Sequence, residues 1–405
     1  MTTHPGLIQG GTVTTPRGFK AGGTYIGLKS KAEGVLDLGV LYSILPCNSA
    51  AVFTTNKVKA APVLISMEHL AAGSPQGIVV NSGCANACTG DQGMADAREM
   101  AALAASLCGV SESDVLVAST GVIGVNLEMV KVRSGFKEIS LSDDGGHRLS
   151  RVIMTTDTVP KEVAAAIEDG EIAGYIAGIA KGAGMIHPNM ATMLSFLSTD
   201  FAVEKEFLQK CLRAAVDNSF NMVTVDGDTS TNDTVVLLAN GASGAPLIDE
   251  NSSLAGPFLE GLEAVCIELS KAIARDAEGA TKLIEVKVTG ALNKDDARLA
   301  ARTVAGSMLV KSAIYGEDPN WGRILAAVGR SGAEVVESKS ELLIGEHKVL
   351  DRGQPLAFNL EKVRDVLKQS EITLTIRLNL GYAQATAWGC DLTESYVTIN
   401  SAYTT

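Results

Sequence analysis

The segment Lys181-Gly-Ala-Gly-Met-Ile-His-Pro-Asn-Met-Ala-Thr-Met-Leu194, near the middle of the chain, restricts the fold more than any other. Gly182, Gly184 and Pro188 argue against a continuous helix or strand here. The apolar run at 193–197 reads as the start of a buried strand. Thr192 stands between the two. A mid-chain threonine in such a place is ordinarily a core or strand residue, but it is also placed as in a chain that cuts itself. Its hydroxyl would attack the Ala191 carbonyl, the peptide would become an ester, and hydrolysis would leave Thr192 as a new N-terminus. Nucleophile and base would then share one residue, because a free α-amine has an ordinary pKa of about 7.7–8.0 and can take the hydroxyl proton near neutral pH.

The rest of the chain supplies a large aliphatic body to hold such a loop. It has 405 residues, 46% of them hydrophobic and only 4% aromatic, with 41 glycines for tight turns. The net charge of −12 argues against a nucleic-acid partner and against an anionic membrane surface. The N-terminal residues lack a basic region followed by an apolar run, and no window reaches the roughly 18 apolar residues of a membrane helix. Seven irregularly spaced cysteines suit a reducing compartment. Cys84 and Cys88 are the only close pair and no histidine lies near them, so neither a metal nor a resident cofactor is expected. These features describe a soluble cytoplasmic protein.

Periodicity predicts strands at 24–28, 35–53, 77–80, 114–119, 234–239, 283–288, 371–378 and 382–390. It predicts helices at 94–107, 207–216, 258–274, 295–310 and 321–328. The first of these carries Met94, Ala97, Met100, Ala101, Ala104 and Leu107 on one stripe. Many strands neighbour one another without an intervening helix, so the fold class is α+β, a layered α/β sandwich with mixed sheets. The main seam is 191/192, dividing the chain into 1–191 and 192–405 around one shared body. A second boundary is expected near 290–295.

Four further constellations bear chemistry. Thr120-Gly121, in a turn at the end of a strand, offers an N–H and a hydroxyl to a developing oxyanion. Lys181 precedes its glycines, so it does not form a phosphate loop; it supplies a positive charge near Thr192, for the amine or for a substrate carboxylate. The hydroxyl-rich stretch 221–233 fails the calcium-loop spacing and reads as a hydrogen-bonded turn lining a pocket. Glu278 is expected to end a long helix against its dipole, a broken local rule of the kind found at functional sites. The tail at 400–405 has no charged, fraying end, which leaves Asn400 and Thr405 able to face a pocket.

These pieces resemble, in order and almost end to end, the ornithine acetyltransferase family of arginine biosynthesis, also called glutamate N-acetyltransferases. The matching segments include Asn81-Ser-Gly-Cys-Ala-Asn86, Ala118-Ser-Thr-Gly-Val-Ile-Gly124, Ile153-Met-Thr-Thr-Asp-Thr158, the 180–194 loop, 221–233, Arg275-Asp-Ala-Glu-Gly-Ala-Thr-Lys282 and the tail. The resemblance implies the fold shared by self-processing ornithine acetyltransferases and aminopeptidases, and cleavage between Ala191 and Thr192. It implies an α chain and a β chain that stay together, as a heterotetramer of two of each. It implies Thr192 as nucleophile, Thr120 and Gly121 as oxyanion hole, and Thr155, Lys181, Thr192, Glu278, Asn400 and Thr405 as substrate contacts. Thr156 and Thr158 are neighbouring candidates for the role of Thr155. The implied reaction carries acetyl from N2-acetylornithine to glutamate, with acetyl-CoA as an additional co-substrate in bifunctional members. The alternative is an N-terminal-threonine aminopeptidase or amidohydrolase, in which water accepts the acyl group.

Overall fold

A computed structural model describes residues 6–32, 34–170, 172–187 and 193–402. Ala191, Thr192 and Thr405 lie outside the described residues. β-Branched and small residues alternate along most strands, and they assemble into three mixed sheets. The first, in spatial order, is Gly6–Leu7, Lys161–Asp169, Ile172–Lys181, Leu194–Thr199, Thr234–Ala239 and Asn48–Phe53. Its one parallel pair among the described residues is Leu194–Thr199 with Thr234–Ala239. The second sheet is Phe19–Thr24, Leu38–Ser43, Gly77–Cys84 and Val115–Val122, the last two parallel.

These two sheets pack face to face. Phe19, Leu41, Ile78, Val80 and Leu116 of the second meet Ile179, Leu194, Phe196, Val236 and Leu238 of the first in one apolar layer. Each sheet then needs cover on its outer face. Helices Ala61–Ala72 and Gly90–Cys108 close the second sheet, burying Ile65, Ala97, Met100 and Ala104 against Val40, Val79 and Val117. Helices Lys205–Asn218 and Ala255–Arg275 close the first. The helix Ala255–Arg275 buries Phe258, Leu262, Val265, Leu269 and Ile273 at helical spacing. It packs on the strands Lys161–Asp169 and Ile172–Lys181 and also reaches the third sheet. That sheet runs Gln354–Pro355, His347–Asp351, Glu341–Ile344, Glu371–Arg377, Leu283–Ala291 and Ala383–Cys390. The α+β layered sandwich with mixed sheets is the observed architecture.

Several local expectations change. The predicted strand 24–28 is a loop, with the strand displaced to Phe19–Thr24, and 35–53 is two strands, Leu38–Ser43 and Asn48–Phe53. Leu107 is exposed and Met94 half-buried, while Ala97, Met100, Ala101 and Ala104 of the same stripe are buried. Gly306-Ser307 divides the 295–310 helix into Lys294–Ala305 and Met308–Tyr315, and the Ser307 hydroxyl caps the second piece. No boundary falls at 290–295. Leu283–Ala291 and Lys294–Ala305 bury their apolar faces in the same core as the first sheet's helices. Unpredicted elements include the hairpin Lys161–Asp169 with Ile172–Lys181, the second strand of which ends at Lys181.

Candidate active site

Strand register brings the predicted residues to one end of the sandwich. In the first sheet Lys181 is paired with Leu194, and Thr234 with both Leu194 and Phe53. In the second sheet Thr120 is paired with Ser82 and Gly121 with Gly83. A cavity of about 360 Å³ opens between these strand ends, and Thr120, Lys181, Asp226, Glu278, Tyr396 and Asn400 are among its lining residues.

Thr120 and Gly121 do not form a turn after a strand. They lie within Val115–Val122, which continues two residues beyond Thr120. The strand can do this because two glycines meet. Gly83 and Gly121 have φ of +101° and +133°, and a Cβ on Gly121 would fall 2.6 Å from the Cys84 nitrogen and closer still to the Gly83 carbonyl carbon. Asn232, two residues before the strand Thr234–Ala239, braces this pair of strands, its amide donating to the carbonyls of Ala85 (2.6 Å) and Ser119 (2.8 Å).

Lys181 is not a solvated loop lysine. It is 3% exposed, and its Nζ donates to Thr120 Oγ1 at 3.3 Å. Among the described residues no carboxylate lies within ion-pair distance of it, an arrangement that suits an incoming anion. Burial lowers its pKa, while Asp157, Asp233 and Glu278 oppose that shift.

Glu278 does not end a helix. The helix stops at Arg275, so Glu278 sits three residues beyond it in a turn, and its N–H donates to the Ala183 carbonyl at 2.9 Å. The dipole conflict is removed, and the carboxylate enters the cavity. Gly184 makes room for it, since a Cβ there would stand 2.5 Å from the Glu278 carboxyl carbon. Asn400, on the helix Glu394–Ala402, donates to Glu278 Oε2 at 2.8 Å. Thr155 and Thr156 line the cavity. Thr158 instead turns its N–H and hydroxyl to Asp276.

The 221–233 stretch is a hydrogen-bonded turn that lines the pocket, with Asp226, Asp228 and residues 229–232 on its wall. Asp226 accepts the N–H groups of Met185 (2.6 Å) and Ile186 (3.0 Å), which holds the loop before Thr192. Tyr396 hydrogen-bonds to Asp226, and burial followed by that carboxylate pushes its phenol well above the usual range.

Sequence reasoning missed Asp233 as an individual residue. It is completely buried; one oxygen accepts the Met193 N–H at 3.1 Å, and the other, Oδ2, has no partner among the described residues. Burial raises its pKa well above the carboxylate range. It also missed the buried ion cluster of Lys161 with Asp157 (2.7 Å) and Asp276 (2.6 Å). Nothing in the local pattern around Lys161 signals that this lysine is buried. Cys84 is buried and Cys88 exposed, both as free thiols.

Comparison with known proteins finds similarity along nearly the whole chain. The ArgJ family model matches residues 20–405. The chain is 52% identical over 399 residues to the arginine biosynthesis bifunctional protein ArgJ of Dehalococcoides mccartyi (strain CBDB1), with 98% of each chain covered. It is 51% identical over 397 residues to the protein of the same name from Symbiobacterium thermophilum, covering 98% of this chain and 99% of that one. Among solved structures, the arginine biosynthesis bifunctional protein ArgJ of Bacillus halodurans is similar at a TM-score of 0.52 and 44% identity. That alignment covers 52% of this chain and 100% of the other.

Proposed function

We propose, from the premise that the chain belongs to the ArgJ family, that it is the arginine-biosynthetic acetyltransferase that moves acetyl from N2-acetylornithine to glutamate through an acetyl-Thr192 ester. The observation that carries this reading is the cavity itself. A buried cation with no carboxylate in ion-pair distance among the described residues, Gly121, a threonine hydroxyl and a carboxylate with an amide line one space. Such a set can hold a zwitterionic amino acid and stabilise an oxyanion.

The chain cuts itself between Ala191 and Thr192, and the α-amine of Thr192 then takes the proton from its own Oγ. Oγ bonds to the acetyl carbon, and the oxyanion rests on donors from Thr120 and Gly121. The carbon–nitrogen bond breaks, the proton passes to the departing α-nitrogen, and ornithine leaves. Glutamate's amine attacks the ester, and N-acetylglutamate departs as Oγ regains its proton. Lys181 holds a substrate carboxylate, Glu278 and Asn400 face the substrate amine and polar groups, and Thr155 and Thr405 complete the contacts. Acetyl-CoA serves as a second acetyl donor.

Two features support the processing. Asp226 and Asp233 grip the chain on either side of the seam, through Met185 and Ile186 before it and Met193 after it. A C-terminal chain starting at Thr192 would hold 405 − 191 = 214 residues, and the Bacillus halodurans chain is matched from end to end by 52% of this one. The chains 1–191 and 192–405 stay together because the strands Ile172–Lys181 and Leu194–Thr199 are hydrogen-bonded across the seam. Two such pairs assemble as a heterotetramer in the cytoplasm. No helix among the described residues is long and apolar enough to cross a membrane.

Intact mass with and without a brief N2-acetylornithine incubation tests the reading. The expected result is two chains broken at Ala191/Thr192, with one acetyl group gained on the C-terminal chain. Two chains without an acetyl gain would transfer the nucleophile to an amidohydrolase, and one full-length mass would overturn the mechanism. A finer test is Gly184→Ala, which drives a methyl group against the Glu278 carboxylate. It is expected to raise KM by about tenfold or more, the size of one lost charged hydrogen bond, with processing intact. An unchanged KM would remove Glu278 from the substrate site.

A further inference from the structure

Asp157 lies behind the cavity wall, its side chain fully buried. It gathers three donors on two oxygens. Oδ1 accepts the Gly182 N–H at 2.7 Å and Lys161 Nζ at 2.7 Å, and Oδ2 accepts the Thr155 N–H at 2.9 Å. Gly182 follows Lys181 directly, and Thr155 lines the cavity. Lys161 continues the cluster to Asp276 at 2.6 Å, and Asp276 holds the Thr158 N–H at 3.0 Å two residues before Glu278. Three cavity-lining segments, at 155–156, 181–184 and 278, are therefore fastened to one another by charge-assisted hydrogen bonds. Such bonds are short and strong where water is excluded.

We infer that Asp157 is a positioning residue for acetyl transfer, a buried carboxylate that holds Lys181 where the carboxylate of an acetylated amino acid docks. The inference rests on the reading of Lys181 as a substrate anchor. Asp157 never reaches the substrate; it acts through the backbone of Gly182 and through its charge. The ammonium of Lys181 faces Asp157, Asp233 and Glu278 among acidic groups and Lys161 and Lys29 among basic ones. Lys29 is itself fixed, donating to the Met154 carbonyl at 2.7 Å. Burial would push Asp157 up, but the charges of Lys181 and Lys161 and its hydrogen bonds hold it well below the usual carboxylate range, so it stays anionic. Its negative charge opposes the burial that lowers the pKa of Lys181. Removing that charge makes Lys181 lose its proton at lower pH. Removing the like charge of Lys161 does the reverse.

The pH profile of kcat/KM for N2-acetylornithine, measured on the processed enzyme, separates this role from simple structural support. Asp157→Asn is expected to move the alkaline limb to lower pH by about one unit, with KM rising more than kcat falls. Lys161→Met is expected to move the same limb to higher pH. Thermal melts and intact mass establish that each variant is folded and cut, and either variant carries the test alone. A role in folding alone would scale activity at every pH and leave the limb in place, and an unmoved limb in a folded, processed variant would overturn the inference. Should the wild type fail to gain an acetyl group, the functional reading falls and this inference with it. Should the wild type be acetylated while Asp157→Asn keeps the wild-type limb, only the inference about Asp157 falls.

Discussion

Thr192→Ala is expected to accumulate as a single 405-residue polypeptide with no measurable acetyl transfer. The substitution removes the one oxygen that the proposed mechanism uses twice, first against the Ala191 carbonyl and then against the acetyl group. The uncut chain also lacks the free α-amine that acts as base, so both steps fail together. Folding should survive, because the strands on either side of the seam are held by ladders that do not involve this side chain. Denaturing electrophoresis and intact mass check the first expectation, and a thermal melt close to that of the wild type checks the second. Two chains from this variant would refute the scissile bond. Thr192→Ser keeps a hydroxyl and should still cut.

Thr120→Ala is expected to lower kcat by roughly 10²–10³, the usual size for one lost oxyanion donor, with little change in thermal stability. The Thr120 hydroxyl is held by Lys181 Nζ at 3.3 Å, and removing it leaves the strand register untouched. Unchanged kinetics would remove Thr120 from the oxyanion site. Gly121 cannot be tested so cleanly. In the structure, any Cβ there collides with the backbone of the paired strand at Gly83 and Cys84, at a φ of +133°. Gly121→Ala is therefore expected to cost about 2–3 kcal/mol of stability as well as activity. A wild-type melting temperature for Gly121→Ala would show that the two strands part easily.

Part of this was legible without a fold. The order of the motifs, the glycine-rich turn after Lys181, the helix Ala255–Arg275 and the strand Thr234–Ala239 are local patterns, and such patterns survive in a linear sequence. The hydroxyl-rich turn at 221–233 was also legible as a pocket wall. Glu278 lies beyond the reach of the expected helix end because the helix stops at Arg275, and element ends are where local propensity competes with tertiary contacts. The polar turn after it is drawn into the cavity by the Ala183 carbonyl, 95 residues away in sequence (278 − 183).

By itself, then, the sequence determined the family, the candidate nucleophile and the layered α+β class, since these depend on residue identity in order and on hydrophobic period. Tertiary structure alone decided which polar groups are buried and which of them meet. Lys181 and Thr120 are 61 residues apart, and Lys161 and Asp276 are 115 apart, yet each pair is in contact. Asp233 is one aspartate among several in a polar stretch until its register beside Met193 leaves one oxygen without a partner among the described residues. The strength of a charge depends on the water it has lost, and that loss is a property of the packed fold.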